Sequence, residues 1–173
     1  MIDRDTFATQ AALRRLSERY AASLDHRDAE AMVNVFHPDA RLRAYHPSES
    51  PDPFSDSSGH AALARRPDAV ARWAKTFHFL GQSTYEIGEG VATGEVYCVA
   101  HHFAPAPGGG ATDYVMFIRY QDRYRLGSDG EWRIEDRRAL IDWTETRVAN
   151  SLGESIVSAW PARPGEKGIG TTP

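Results

Sequence analysis

The chain has 173 residues, with 20 Lys plus Arg against 24 Asp plus Glu and a formal net charge of −4. That length suits one domain of about 150 residues followed by a tail, and a pI near 6.0 without a block of Lys or Arg argues against nucleic acid or an anionic membrane as the partner. The apolar runs are too short to span a bilayer, the N-terminus is polar and acidic, unlike a signal peptide, and the lone Cys98 excludes an internal disulfide and a cysteine-based zinc site, so a cytoplasmic protein is the expectation.

Asp5 to Leu24 reads as an amphipathic helix, because Leu13, Leu16, Tyr20 and Leu24 recur at steps of three and four and share one face. The run from Asp25 to Asp28 breaks it. A second helix is predicted from Ala29 to Phe36, capped by Asp28 and stopped by Pro38. After a short strand from Ala40 to Tyr45, the stretch from His46 to His60, with three prolines and five serines, reads as a loop or flap. Pro67 and Asp68 look like the first turn of a third helix ending near Thr76. Beyond His78 the pattern turns to strand: Gln82–Ile87 and Val91–Phe103 joined at Gly88-Glu89-Gly90, then Asp113–Leu126 and Glu131–Glu145 joined at Ser128-Asp129-Gly130. Residues 1–150 thus form one domain, and 151–173, rich in Gly and Pro, a tail that is extended or disordered. Helices followed by a meandering antiparallel sheet argue for an α+β fold, a cone-shaped barrel whose helices pack on a strongly curved sheet and leave a pocket between them.

No phosphate loop, nucleophile elbow, H-E-x-x-H or dinucleotide fingerprint is present, and neither a cofactor nor a metal is expected. The candidates are ionisable residues at the ends of elements. His78, in Phe77-His78-Phe79-Leu80, can serve as a general base near neutral pH if a carboxylate holds its other nitrogen, or be a half-buried histidine bonded to a backbone carbonyl. Asp25 follows the last apolar contact of the first helix and can orient His78, or simply form the turn. Tyr20 shares the buried face of that helix and can donate to an oxyanion, or be a core tyrosine. His101 and His102 are consecutive on a strand and face opposite sides of the sheet, so one of them lines the cavity. Arg137 can bind an anionic or carbonyl group, or sit on a solvated face beside Glu135 or Asp136. His26, His37, His46 and His60 fall in turns or the Ser/Pro loop and are expected to be solvated.

Taken in order, Tyr-x4-Asp-x2-Asp-x7-Phe-x-Pro-Asp-Ala from Tyr20 to Ala40, Phe77-His78-Phe79-Leu80-Gly81, the strand ending in His101-His102, and Trp132 to Arg137 resemble the SnoaL-like branch of the nuclear transport factor 2-like superfamily over Thr6 to Glu145. Within it the pattern is most similar to scytalone dehydratase, bile acid 7α-dehydratase and hexachlorocyclohexane dehydrochlorinase. The resemblance implies an Asp–His pair as base at Asp25 and His78, with Tyr20 and His101 as further catalytic groups (His102 if the register slips by one) and Arg137 near a pocket arginine. His102, Tyr114 and Phe36 complete the expected set of substrate contacts. The spacing from Asp25 to His78 is longer than in those relatives, the extra residues falling in the Ser/Pro loop.

The reading is a cofactor-independent lyase of the dehydratase type, acting on a small hydrophobic cyclic substrate. An isomerase or cyclase using the same pocket, or a non-catalytic binding module, is the rival. Apolar residues on both faces of the late strands further predict a homotrimer or homodimer.

Overall fold

The computed structural model describes residues 4–46, 50–106 and 110–149, so the expected tail at 151–173 lies outside the described residues. Helix α1 (Arg4–Asp25) buries Leu13, Leu16, Ser17, Tyr20 and Leu24, the stripe its sequence spacing calls for. A short α2 (Ala29–Val33) follows, with Asp28 as its cap, the side chain accepting from the Ala31 N–H. The chain then enters β1 (Phe36–Tyr45), β2 (Ser55–Ser58), α3 (Gly59–Leu63) and α4 (Arg66–Val70). The strands β3 (Lys75–Ile87), β4 (Val91–Pro105), β5 (Ala111–Leu126) and β6 (Trp132–Ala149) complete it.

The six strands lie in the order β2-β1-β6-β5-β4-β3. β1 runs parallel to β6 and every other pairing is antiparallel. Strands of 15, 16 and 18 residues in β4, β5 and β6 accumulate enough right-handed twist to curl the sheet around the helices, and it remains open between β2 and β3. The β3–β4 and β5–β6 hairpins turn on Gly90 and Gly130, at φ 69° and 81°, where a side chain would be strained. Leu13, Leu16, Tyr20 and Leu24 of α1 pack on Val96, Cys98, Tyr120, Tyr124 and Ile134 of the concave face. Burying a leucine as fully as Leu13 contributes about 1.5–3 kcal/mol.

Three expectations change. Phe36 is not the end of a helix but the first residue of β1, and Pro38 lies within that strand. The Ser/Pro stretch is not wholly loop: residues 55–58 pair along β1, with Arg41 opposite Ser58 and Ala44 opposite Ser55. Strand β3 starts at Lys75, seven residues before the predicted Gln82, because the third helix ends early at Val70; His78 is therefore a strand residue.

The convex face is unusual for a solvated sheet. Phe79, Val99, Phe117 and Trp143 form one cross-strand row, Phe117 and Trp143 stack at 4.2 Å, and Phe77, Phe79 and Trp143 are 57%, 60% and 52% exposed. Among the described residues no helix is long and apolar enough to cross a membrane.

Candidate active site

The site begins where α1 ends. Asp25, its last residue, meets His78 in β3: His78 Nδ1 lies 2.7 Å from Asp25 Oδ1, and the His78 backbone N–H donates to Oδ2 at 3.0 Å. A carboxylate only accepts, so Nδ1 carries the proton, and in the neutral ring it is Nε2 that keeps the lone pair. Thr76, two residues earlier and on the same strand face, donates its hydroxyl to Asp25 Oδ1 at 2.9 Å. Arg27, at a left-handed φ of 58°, donates in turn to Thr76 Oγ1 at 2.8 Å. Burial pushes the Asp25 pKa up, but the hydrogen bonds and charge of His78 and the Thr76 hydroxyl outweigh it, and the net shift is below 3.8. The His78 side chain is 3% exposed, so its free nitrogen is shielded from bulk water.

His102 stands edge-on to His78, ring centroids 5.8 Å apart. Its Nδ1 donates to the Tyr114 carbonyl at 3.1 Å. Burial, with the neighbouring positive charge that His78 can carry, lowers its pKa to about 4. At neutral pH it is uncharged, and its Nε2 is a hydrogen-bond acceptor.

Both rings open on a cavity of about 270 Å³. Tyr20, Leu24, Met116, Ile118, Tyr120 and Ile141 supply much of its wall, and α4 with the turn after it supplies Arg66, Val70 and Trp73. The volume is at the small end for a ligand site and suits one or two rings. A wider groove of about 800 Å³ on the convex face is lined by Arg43, Glu86, Glu95, Arg123, Asp136 and Arg138 but contains no histidine. Among the described residues, no group of His, Cys, Asp or Glu is placed to hold a metal ion.

A SnoaL-like domain model matches residues 5–138. The chain belongs to the SnoaL-like family. Three solved structures illustrate its fold. A candidate scytalone dehydratase from Novosphingobium aromaticivorans is 20% identical, with a TM-score of 0.65 over 86% of this chain and 96% of that one. A hexachlorocyclohexane dehydrochlorinase from Novosphingobium barchaimii is 16% identical, with a TM-score of 0.68 over 84% and 94%. A variant of a Mycobacterium tuberculosis protein of unknown function is 25% identical, with a TM-score of 0.66 over 80% and 74%. No curated protein matches the sequence.

In this SnoaL-like domain the residues singled out from sequence separate into two groups. Asp25, His78, Tyr20 and His102 come together at the cavity. His101 does not: strand alternation turns it to the convex face, where Nδ1 lies 2.7 Å from Asp113 Oδ2 and the ring stacks on Phe103. The cavity position is His102, since Thr76 pairs with His102 and His78 with Ala100 across the two strands. Arg137 does not line the cavity either. Fully buried, it donates to both Asp122 oxygens at 2.7 and 2.6 Å and to Ser17 at 2.8 Å. It also lies 4.3 and 4.4 Å from the Tyr20 and Tyr120 ring centres, bracing the two tyrosines from behind. Tyr114 stacks on Trp73 and contributes its carbonyl to His102 rather than its ring to the cavity. Phe36 is wholly buried edge-on to Tyr20, a layer behind the wall. Two of the histidines expected in solvent are half-buried and bonded, His37 to Arg125 and His60 to the Phe36 carbonyl.

Thr76, Trp73 and Arg66 escaped the sequence reading. Only Thr76 carried a signal, its two-residue spacing from His78.

The buried His102 makes stability depend on pH. The unfolded chain takes up that proton near 6.5 and the native chain only near 4. Between those values the unfolded state binds more protons, so this contribution, fully present above 6.5, is lost as pH falls to about 4, by at most about 1.4 kcal/mol per pH unit. Urea unfolding across that range is expected to show the loss in the wild type and a flatter profile in His102→Gln. Parallel profiles would contradict a neutral His102.

Proposed function

We propose that the chain is a cofactor-independent lyase of the dehydratase type, acting on a small, mostly apolar cyclic substrate with His78 as general base. The observation that carries this is the Asp25–His78 contact at 2.7 Å, beside a cavity whose wall is largely apolar. His78 Nε2 takes a proton from carbon and Asp25 holds the resulting imidazolium. The electron pair left on carbon forms the double bond as the carbon–oxygen bond breaks.

The departing hydroxide needs a proton. His102 cannot supply it at neutral pH, and burial, only partly opposed by Arg137 and Arg66, raises the pKa of Tyr20, which keeps its proton. The His78 imidazolium therefore returns the proton to the leaving oxygen, water departs, and the base is regenerated. Tyr20 stabilises that oxygen by hydrogen bonding without ionising.

Incubating hydroxylated ring compounds with the protein and reading loss of water by mass spectrometry tests this. Products isomeric with the substrate would instead favour double-bond migration or ring closure by the same base. A compound that binds unchanged, with no effect of His78→Ala on any reaction, would favour a binding module.

Self-association belongs to the same reading. A second copy of this chain fits the row of exposed Phe79 and Trp143 with half-buried Phe117, since the groove on the same face presents Arg43, Arg138, Glu86 and Glu95 in both signs and can complement itself. Sedimentation at micromolar concentration is expected to give a dimer or trimer, with Trp143→Glu shifting it to monomer. A monomeric wild type would contradict self-association through this face.

A further inference from the structure

On the reading that this cavity is the substrate site, we propose that the cyclic substrate carries a carboxylate and that Arg66 of α4 receives it.

Among the described residues, the charged side chains lining the cavity are Arg66 and Arg72, and no Asp or Glu lines it; Asp25 stands behind His78. Neither arginine has a carboxylate partner among the described residues. That sets them apart from Arg41, Arg43, Arg119 and Arg133, which pair with Asp56, Asp136, Asp142 and Asp129. Arg66 Nη1 donates to a neutral group, Ser55 Oγ, at 2.6 Å, and its Nε is buried with no hydrogen-bond partner. A guanidinium is a rigid fork whose best partner is a planar carboxylate, and an unmet buried donor is costly to leave so.

The rest of the wall fits the rest of such a molecule. Leu24, Val70, Met116, Ile118 and Ile141 offer apolar surface for a ring. Trp73 sits beside it, with Arg72 5.3 Å from its ring centre as a second cation. A carboxylate held on α4 also makes chemical sense for the base. Once conjugated with, or adjacent to, the carbon that loses its proton, it places the developing negative charge toward a cation.

Isothermal titration at neutral pH with benzoate, cyclohexanecarboxylate and 1-naphthoate, each against its own primary amide, tests this. At least one acid is expected to bind about tenfold or more tightly than its amide, the scale of a charge-assisted fork. In Arg66→Met the ratio should fall to within about twofold, and Arg66→Lys should keep part of it. Because that variant retains the charge, it remains informative if Arg66→Met fails to fold. Rising salt should narrow the ratio in the wild type.

Three results would overturn the proposal: equal binding of acid and amide for every ring, no acid binding at millimolar concentration, or an acid preference that survives in folded Arg66→Met. His78→Ala keeps the two readings apart. An acid preference intact in that variant supports the anchor whatever becomes of catalysis, whereas loss of dehydration there bears on the base alone.

Discussion

Replacing His78 with alanine is expected to lower the dehydration rate by about 10²–10⁴-fold, the contribution of a positioned general base, while the fold survives. The imidazole touches solvent over only 3% of its surface, but it lies at the cavity wall and not in the packed centre, so its removal leaves Leu13, Leu16 and Tyr120 undisturbed. Asp25→Asn should cost a similar factor for a different reason. An amide can no longer hold the imidazolium, and its NH₂ can turn toward Nδ1 and favour the tautomer that leaves Nε2 protonated. Thr76→Val removes one of the hydrogen bonds that orient Asp25 and should cost about tenfold, near 1.4 kcal/mol. The order His78→Ala and Asp25→Asn far below Thr76→Val, with Thr76→Val below wild type, is measured by initial rates on one substrate. Equal rates for wild type and His78→Ala would show that His78 is not the base.

The largest effect on stability is expected at Arg137. Its guanidinium is fully buried, paired with an equally buried Asp122, and flanked by the Tyr20 and Tyr120 rings. Burial alone would lower the Arg137 pKa; the Asp122 charge and hydrogen bonds reverse this, and the arginine stays charged. Arg137→Met leaves the Asp122 carboxylate buried without its counter-charge, and breaking such a pair costs about 3–5 kcal/mol. In a domain of this size the melting temperature should fall by about 6–20 °C. Arg137→Met combined with Asp122→Leu removes both charges and should recover part of the loss, since it is the orphaned ion and not the absent pair that costs most. Calorimetry on the two variants checks this. A single variant as stable as wild type would show that the pair does not hold the core.

The sequence made part of this arrangement legible. The three- and four-residue spacing of Leu13, Leu16, Tyr20 and Leu24 described α1 because one buried stripe leaves a period. Asp28 announced the second helix through its cap. Asp25, at the end of α1, and His78, in an apolar run, were visible as candidates; their meeting depends on how the end of α1 packs against β3, which only the assembled fold determines.

Other features were hidden for physical reasons. His101 and His102 could not be told apart because β4 is apolar on both faces: Val96, Cys98 and Ala100 point inward while Tyr97, Val99 and Phe103 point outward, so no alternation marks the core side. Arg137 looked like a surface or pocket residue because its partner, Asp122, lies across a hairpin that sequence cannot register. β2 was masked by the Ser/Pro composition of its surroundings. An edge strand of four residues, paired to one neighbour, needs no hydrophobic pattern.

Everything in the proposed reaction turns on His78 Nε2 removing a proton from a substrate held in the cavity. The most direct measurement is a crystal structure of the inactive Asp25→Asn variant with the ring compound that the wild type dehydrates. The carbon that loses its proton is expected about 3–3.5 Å from His78 Nε2, with the ring against Leu24, Ile118 and Ile141. A ligand seated elsewhere, in the groove beside Arg43 and Glu95 for example, or lying in the cavity with that carbon turned from His78, would contradict it.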